Sequence, residues 1–236
     1  NMEQFEGDII HPQTWPEGYN YTDKDILVIG SGATAATLVP AIAEKSAHVT
    51  MLQRSPTYFF PAPNRNELAD TLRELDIPDA WTHEIVRKKI LLEQQQLTER
   101  CVTDPESVKV ELLTAAREYL GDDYDIDTHF TPSYRPWRQR LAFVPDGDLF
   151  KGIKAGKASV VTDEIDHFTS TGIRTKNGEN IAADIVVPAT GLQVQFLGGV
   201  AATLDGVPIN PADHMVYRGM MLSNVLSPVE STERDI

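Results

Sequence analysis

The chain has 236 residues, enough to bury a substantial core as one or two domains. Its net charge of −14 argues against nucleic acid or an anionic membrane as the main partner, although one or two arginines suffice to build a local phosphate site. Cys101 is the only cysteine, which excludes an intrachain disulfide and a CxxC redox pair; with no apolar run long enough for a stable membrane span, a reducing, cytoplasmic setting is expected.

Residues 1–24, rich in Pro, Trp and Tyr, read as a connector. A short apolar strand over 26–29 then runs into Gly30-Ser31-Gly32-Ala33-Thr34-Ala35, followed by a helix-forming run and a second apolar strand over 48–52. This strand, glycine turn, helix and strand form the unit that holds a dinucleotide pyrophosphate. Gly30 permits the tight turn, Gly32 lets the backbone approach the phosphates, and small Ala35 lets helix and strand pack closely. The helix N-terminus offers free N–H groups to the anion. The competing reading is an ordinary strand-to-helix turn of small residues. Pro40 conflicts with the helical pattern and predicts a kink or an early helix end.

The second strand leads into Gln53-Arg54-Ser55. A site for NAD usually carries Asp or Glu there for the ribose hydroxyls. Without that carboxylate a 2′-phosphate is not repelled, and the guanidinium of Arg54 can grip it, so NADP(H) is expected over NAD(H). The alternative for Arg54 is a solvated surface side chain.

Beyond a proline-rich loop over 56–66, the pattern turns helical over 67–121. Leu68, Leu72 and Leu75 recur at helical spacing, and the Thr-Asp-Pro-Glu string at 103–106 marks a helix start. Val108, Leu112, Leu113, Ala116 and Leu120 form an apolar stripe. The region reads as a helical insertion packed on a sheet, with a lid or subunit contact as the alternative. Residues 122–146 read as a long loop, a feature that usually carries function. A short helix over 149–155, a strand over 158–161, a hairpin over 164–175 and a buried strand over 184–187 complete the order, ending in Ala189-Thr190-Gly191. The expected fold is α/β: a Rossmann-like NADP-binding domain with a parallel sheet and a helical insertion. The expected division is a linker at 1–24, an NADP-binding domain at 25–190, and a return segment at 191–236 that reads as truncated after Asn224. The chain as a whole reads as a piece of a longer protein.

Three patterns flank the glycine turn: Phe5-x-Gly7-x-x-x-His11-x-x-x-Trp15-Pro16, Tyr134-Arg135-Pro136-Trp137-Arg138-Gln139-Arg140, and Ala189-Thr190-Gly191. Together with GSGATA they resemble the flavin-dependent monooxygenases of the Baeyer–Villiger type. HFTPSYRPW, VPDGDLF, GKASVVTD and ADIVVPATGL are most similar to the ethionamide-activating branch. The resemblance implies an NADPH- and FAD-dependent monooxygenase. NADPH reduces FAD, a C4a-peroxyflavin forms with O2, and one oxygen enters a ketone or a sulfur or nitrogen centre, as in a thioether or thioamide.

In that pattern Arg140 matches the arginine that stabilises developing negative charge, a task suited to a fixed guanidinium. Its alternative is a pairing with an acidic neighbour. Gln139 stands where some members carry lysine. His11 matches a linker histidine coupled to NADP, with a purely structural hydrogen bond as the alternative, and Trp15 reads as packing. The resemblance implies a cofactor-binding set of Gly30, Ser31, Gly32, Ala33, Thr34, Ala35, Arg54, Ser55, Gln139, Thr190 and Gly191. Phe5, Gly7, His11 and Trp15 carry the linker fingerprint. No metal is expected. The family also carries a second glycine motif for FAD, and this sequence has one such motif. A flavin domain in trans is therefore an expected partner, and a non-catalytic NADP-binding module or a stand-alone dehydrogenase are the competing functions.

Overall fold

In the computed structural model, which describes residues 1–192, 196–218 and 221–223, alternate side chains of the central strands enter opposite cores. Ile26 and Val28, Val49 and Met51, and Ile185 and Val187 point into one apolar cluster, whereas Leu27, Leu52 and Val186 point into another. This two-residue period, apolar on both faces, belongs to a sheet covered on both sides.

The strands β1 (Asp8–Ile9), β2 (Asp25–Ile29), β3 (His48–Gln53), β6 (Ala158–Thr162) and β10 (Ile185–Pro188) form that sheet in the order β1-β10-β2-β3-β6, with every pairing parallel. The helix α1 (Ala33–Ala43) is the crossover from β2 to β3. Its Ala35, Ala36, Val39 and Ile42 are buried against the sheet. The opposite face is covered by an antiparallel sheet of β7 (Ile165–Thr169), β8 (Gly172–Thr175) and β9 (Asn180–Ala182), through Phe168, Ile173 and Ile181.

The helical insertion consists of α2 (Glu67–Glu74), α3 (Asp79–Thr103) and α4 (Pro105–Leu120). Asp104 caps α4 by accepting from the Ser107 N–H, and Pro105 occupies the first turn, where its missing N–H costs nothing. Val108 and Leu112 pack with Tyr58 and Cys101, while Ala116 and Leu120 reach the main core. Burial raises the pKa of the Cys101 thiol, which keeps it protonated.

Several expectations change. Residues 122–146 are not one long loop. They contain α5 (Ile126–Phe130) and β5 (Ala142–Pro145), which pairs in parallel with β4 (Phe59–Ala62). Tertiary packing stabilises both: Phe130 contacts Phe59 and Phe150 edge-on, the latter from α6 (Asp148–Lys154). Helix α1 does not stop at Pro40 but runs three residues further, with buried Ile42 and Ala43 beyond the proline. Pro188 closes β10: it pairs with Ile29, and the Ala189 N–H donates to the Ile29 carbonyl at 2.8 Å. The segment 1–24 contributes β1, an edge strand of the main sheet.

The chain divides into two compact units, Asn1–Gly191 and Leu192–Ile236. The second contains two short antiparallel pairs, β11 (Thr203–Leu204) with β12 (Val207–Pro208) and β13 (Val216–Tyr217) with β14 (Met221–Leu222). Asn224 and the end of the expected return segment lie outside the described residues. Among the described residues no helix is long and apolar enough to cross a membrane.

Candidate functional site

The parallel strands β2, β3, β6 and β10 end at the same edge of the sheet, and a cavity of about 700 Å³ opens there. That is the edge at which open α/β sheets bind ligands, and the volume suits a nucleotide.

Gly30 forms the floor. Its φ of +118° is strained for any residue with a side chain, and a Cβ there would lie 2.5 Å from the Ala189 carbonyl oxygen. The Gly30 N–H donates to the Leu52 carbonyl at 2.8 Å, which ties the turn to the end of β3. Gly32 is different. It is the N-cap of α1 with an ordinary φ of −75°, and apart from its two chain neighbours no atom of the described residues lies within 4 Å of the position a Cβ would take. Its bareness serves open space above the helix N-terminus, where Ala33 and Thr34 also line the cavity. Ser31 is buried and its hydroxyl lies 3.0 Å from that of Thr57, which steadies the turn against the segment leaving β3.

At the far end of the cavity, Gln53 is a structural residue. Its side chain is 1% exposed, and its amide donates to the His129 carbonyl at 2.7 Å and to the Thr162 hydroxyl at 2.9 Å. The Thr162 hydroxyl also meets His129 Nδ1 at 2.9 Å, and burial lowers the His129 pKa, favouring the neutral ring as acceptor. Gln53 Oε1 has no partner among the described residues. Arg54, the next residue, is exposed and lines the cavity, and among the described residues it makes no ion pair within 4 Å.

Of the residues expected to bind cofactor, the cavity wall includes Gly30, Ser31, Gly32, Ala33, Thr34, Arg54, Ser55, Gln139, Thr190 and Gly191. Ala35 is fully buried beneath it and packs α1 onto the sheet. Arg140 adjoins Gln139 but is not among the lining residues; it is exposed and has no ion-pair partner among the described residues. The linker fingerprint lies elsewhere. Phe5 is buried in the second core, and a Cβ on Gly7 would lie 2.4 Å from the Asp184 carbonyl oxygen. Trp15 packs edge-on against Tyr19 and Tyr21, and His11 caps a short 3-10 turn by accepting from the Gln13 N–H at 3.3 Å.

The wall also includes Thr57, Asp163, Glu164 and Ile165, which sequence reasoning missed. The acidic pair arrives because Gln53 is in register with Thr162, so the residues after each strand become neighbours. The only local signal was a turn between an apolar strand and a hairpin.

The fold and cavity define a Rossmann-type α/β unit with a cleft at the carboxyl edge of its sheet. By sequence the chain is homologous to part of the FAD-containing monooxygenases. It is 48% identical over 224 residues to the FAD-containing monooxygenase EthA of Mycobacterium tuberculosis (strain ATCC 25618 / H37Rv), covering 94% of this chain and 46% of that protein. It is 46% identical over 226 residues to the probable FAD-binding monooxygenase AlmA of Acinetobacter baylyi (strain ATCC 33305 / BD413 / ADP1), covering 95% and 45%. The chain thus spans about half the length of the curated relatives it matches.

Among solved structures, ε-caprolactone-bound cyclohexanone monooxygenase in its Loose conformation superposes with a TM-score of 0.64 at 20% identity, covering 81% of this chain and 44% of that one. Oxidized steroid monooxygenase bound to NADP superposes with a TM-score of 0.62 at 21% identity, covering 80% and 42%. Both agree with the fold. No protein-family model matches the chain.

Proposed function

We propose that this chain is the NADPH-binding portion of an FAD-dependent monooxygenase of the Baeyer–Villiger type. The observation that carries the reading is the bare N-terminus of α1: a glycine with no steric need of its own, facing open space between the glycine turn and an exposed arginine. A pyrophosphate fits there on the free N–H groups of the first turn, with the small side chains of Ala33 and Thr34 beside it. Arg54 then holds the 2′-phosphate, and Thr190 and Gly191 border the opposite end of the cleft.

FAD, when bound by the other portion of such a protein, supplies the redox chemistry with O2, directed at a ketone or at a sulfur or nitrogen centre. Within this chain, the contribution is to bind the reductant and orient its nicotinamide. Arg140, exposed and one residue from the cavity wall, is assigned to the boundary with the flavin. Its fixed positive charge stabilises an anion without moving a proton. The free, buried Cys101 fits a reducing, cytoplasmic setting.

The test is calorimetric titration of the protein with NADPH and NADH. Arg54→Ala is expected to weaken NADPH by about ten- to hundred-fold and NADH by much less, since a charge-assisted contact is lost only with the 2′-phosphate. Equal losses refute the assignment of Arg54, and absence of binding to the wild-type protein refutes the nucleotide site. A non-catalytic nucleotide-binding module is the second reading, because a single glycine motif is present. It is rejected if a separately produced FAD-binding portion restores NADPH oxidation on mixing.

A further inference from the structure

The cavity wall at Arg54 is not uniformly positive. Facing it across the β3–β6 pairing are Asp163 and Glu164, where β6 turns into β7. The two carboxylates differ in their commitments. Asp163 is held within the turn: one oxygen accepts the Glu164 N–H at 2.7 Å and the other the Asn177 N–H at 3.0 Å. Glu164 is held from outside the cleft, by Lys176 Nζ at 2.5 Å, and the Lys176 N–H donates to the Glu164 carbonyl at 2.9 Å. Both members of this pair are exposed, each with about half of its side-chain surface open to solvent (51% for Glu164, 59% for Lys176).

We propose that Glu164, balanced by Lys176, is a specificity-determining residue that tempers the hold of Arg54 on a 2′-phosphate. The inference rests on the dinucleotide reading above and deepens it. A phosphate dianion reaching Arg54 is repelled by the Glu164 carboxylate, whereas the 2′-hydroxyl of NAD(H) at the same place carries no charge to repel and can donate a hydrogen bond to it. The carboxylate therefore disfavours one cofactor and not the other. Lys176 offsets part of the repulsion, so the site accepts the phosphate while its preference stays modest. The effect is electrostatic and largely solvent-exposed, and salt screens it.

The experiment is titration of the full chain with NADP+ and with NAD+, for wild type, Glu164→Gln and Arg54→Ala, at low and high ionic strength. Glu164→Gln, an isosteric change at an exposed position, is expected to tighten NADP+ by about two- to five-fold while NAD+ binding stays the same or weakens slightly, and the gain is expected to shrink at high salt. A thermal melt matching that of wild type accompanies this result. An unchanged NADP+/NAD+ ratio, or equal tightening of both, overturns the proposal. If Arg54→Ala erases the NADP+ preference while Glu164→Gln moves nothing, the inference fails and the underlying reading survives. If the folded wild-type protein binds neither nucleotide, both fail.

Discussion

Gly30 and Gly32 sit two residues apart in one turn, and the structure asks different things of them. Gly30 is required by the fold: left-handed backbone and the Ala189 carbonyl leave no room for a methyl group. Gly30→Ala is expected to destabilise the protein by about 2 kcal/mol or more, read as a lower urea midpoint. Gly32 is required only by whatever fills the cleft, because its backbone is ordinary and its surroundings are open. Gly32→Ala is expected to cost about 1 kcal/mol or less, the difference between glycine and alanine at a helix N-cap. The same change is expected to weaken NADP+ by about ten-fold, as the methyl group crowds the phosphate seat. The motif was legible as a string, but this division of labour was not, since it depends on Ala189, far away in sequence. Arg54 was legible for the opposite reason: its position after an apolar strand is a local fact. Glu164 was not, because register alone brings it to the site.

Among the elements, β1 shows how a short edge can depend on one residue. It is two residues long, and its hold on β10 includes the Asp8 N–H donated to the Asp184 carbonyl at 3.1 Å and the Ile10 N–H donated to the Val186 carbonyl at 3.0 Å. Gly7 lies against Asp184, with no space for a side chain. Gly7→Ala is expected to push this edge outward, costing about 1–3 kcal/mol, with faster hydrogen exchange at Ile10 as the local readout. In the sequence, residues 1–24 carry too few apolar positions to reveal a strand, and pairing with β10 supplies what periodicity could not. The same holds for α5 and β5, each too short to declare itself and each supported by the Phe59, Phe130 and Phe150 cluster. The longer elements were legible because they repeat: α4 places Val108, Leu112, Ala116 and Leu120 on one buried stripe. Pro40 does not end α1 because burial on both sides of it outweighs the loss of one helical hydrogen bond.

At the scale of the molecule, the cavity lining among the described residues comes wholly from the first compact unit, Asn1–Gly191, so the proposed nucleotide site draws on that unit alone. The chain nevertheless spans about half of its curated relatives, and oxygenation is proposed to require the other half. The β10–β2 pairing gives this arrangement a kinetic side. The Asp25 N–H meets the Asp184 carboxylate across 159 residues of chain, just before β10, and the Ala189 carbonyl that closes over Gly30 lies just after that strand. Closing so long a loop carries an entropic cost that is recovered only when the sheet is complete. The nucleotide seat should therefore be absent from partly folded forms and appear in the slowest refolding phase. Saturating NADP+ is expected to slow unfolding while leaving the refolding rate unchanged, measurable by stopped-flow mixing with urea. On the proposed reading the cofactor would act as a latch, applied only after the last strand has found its place.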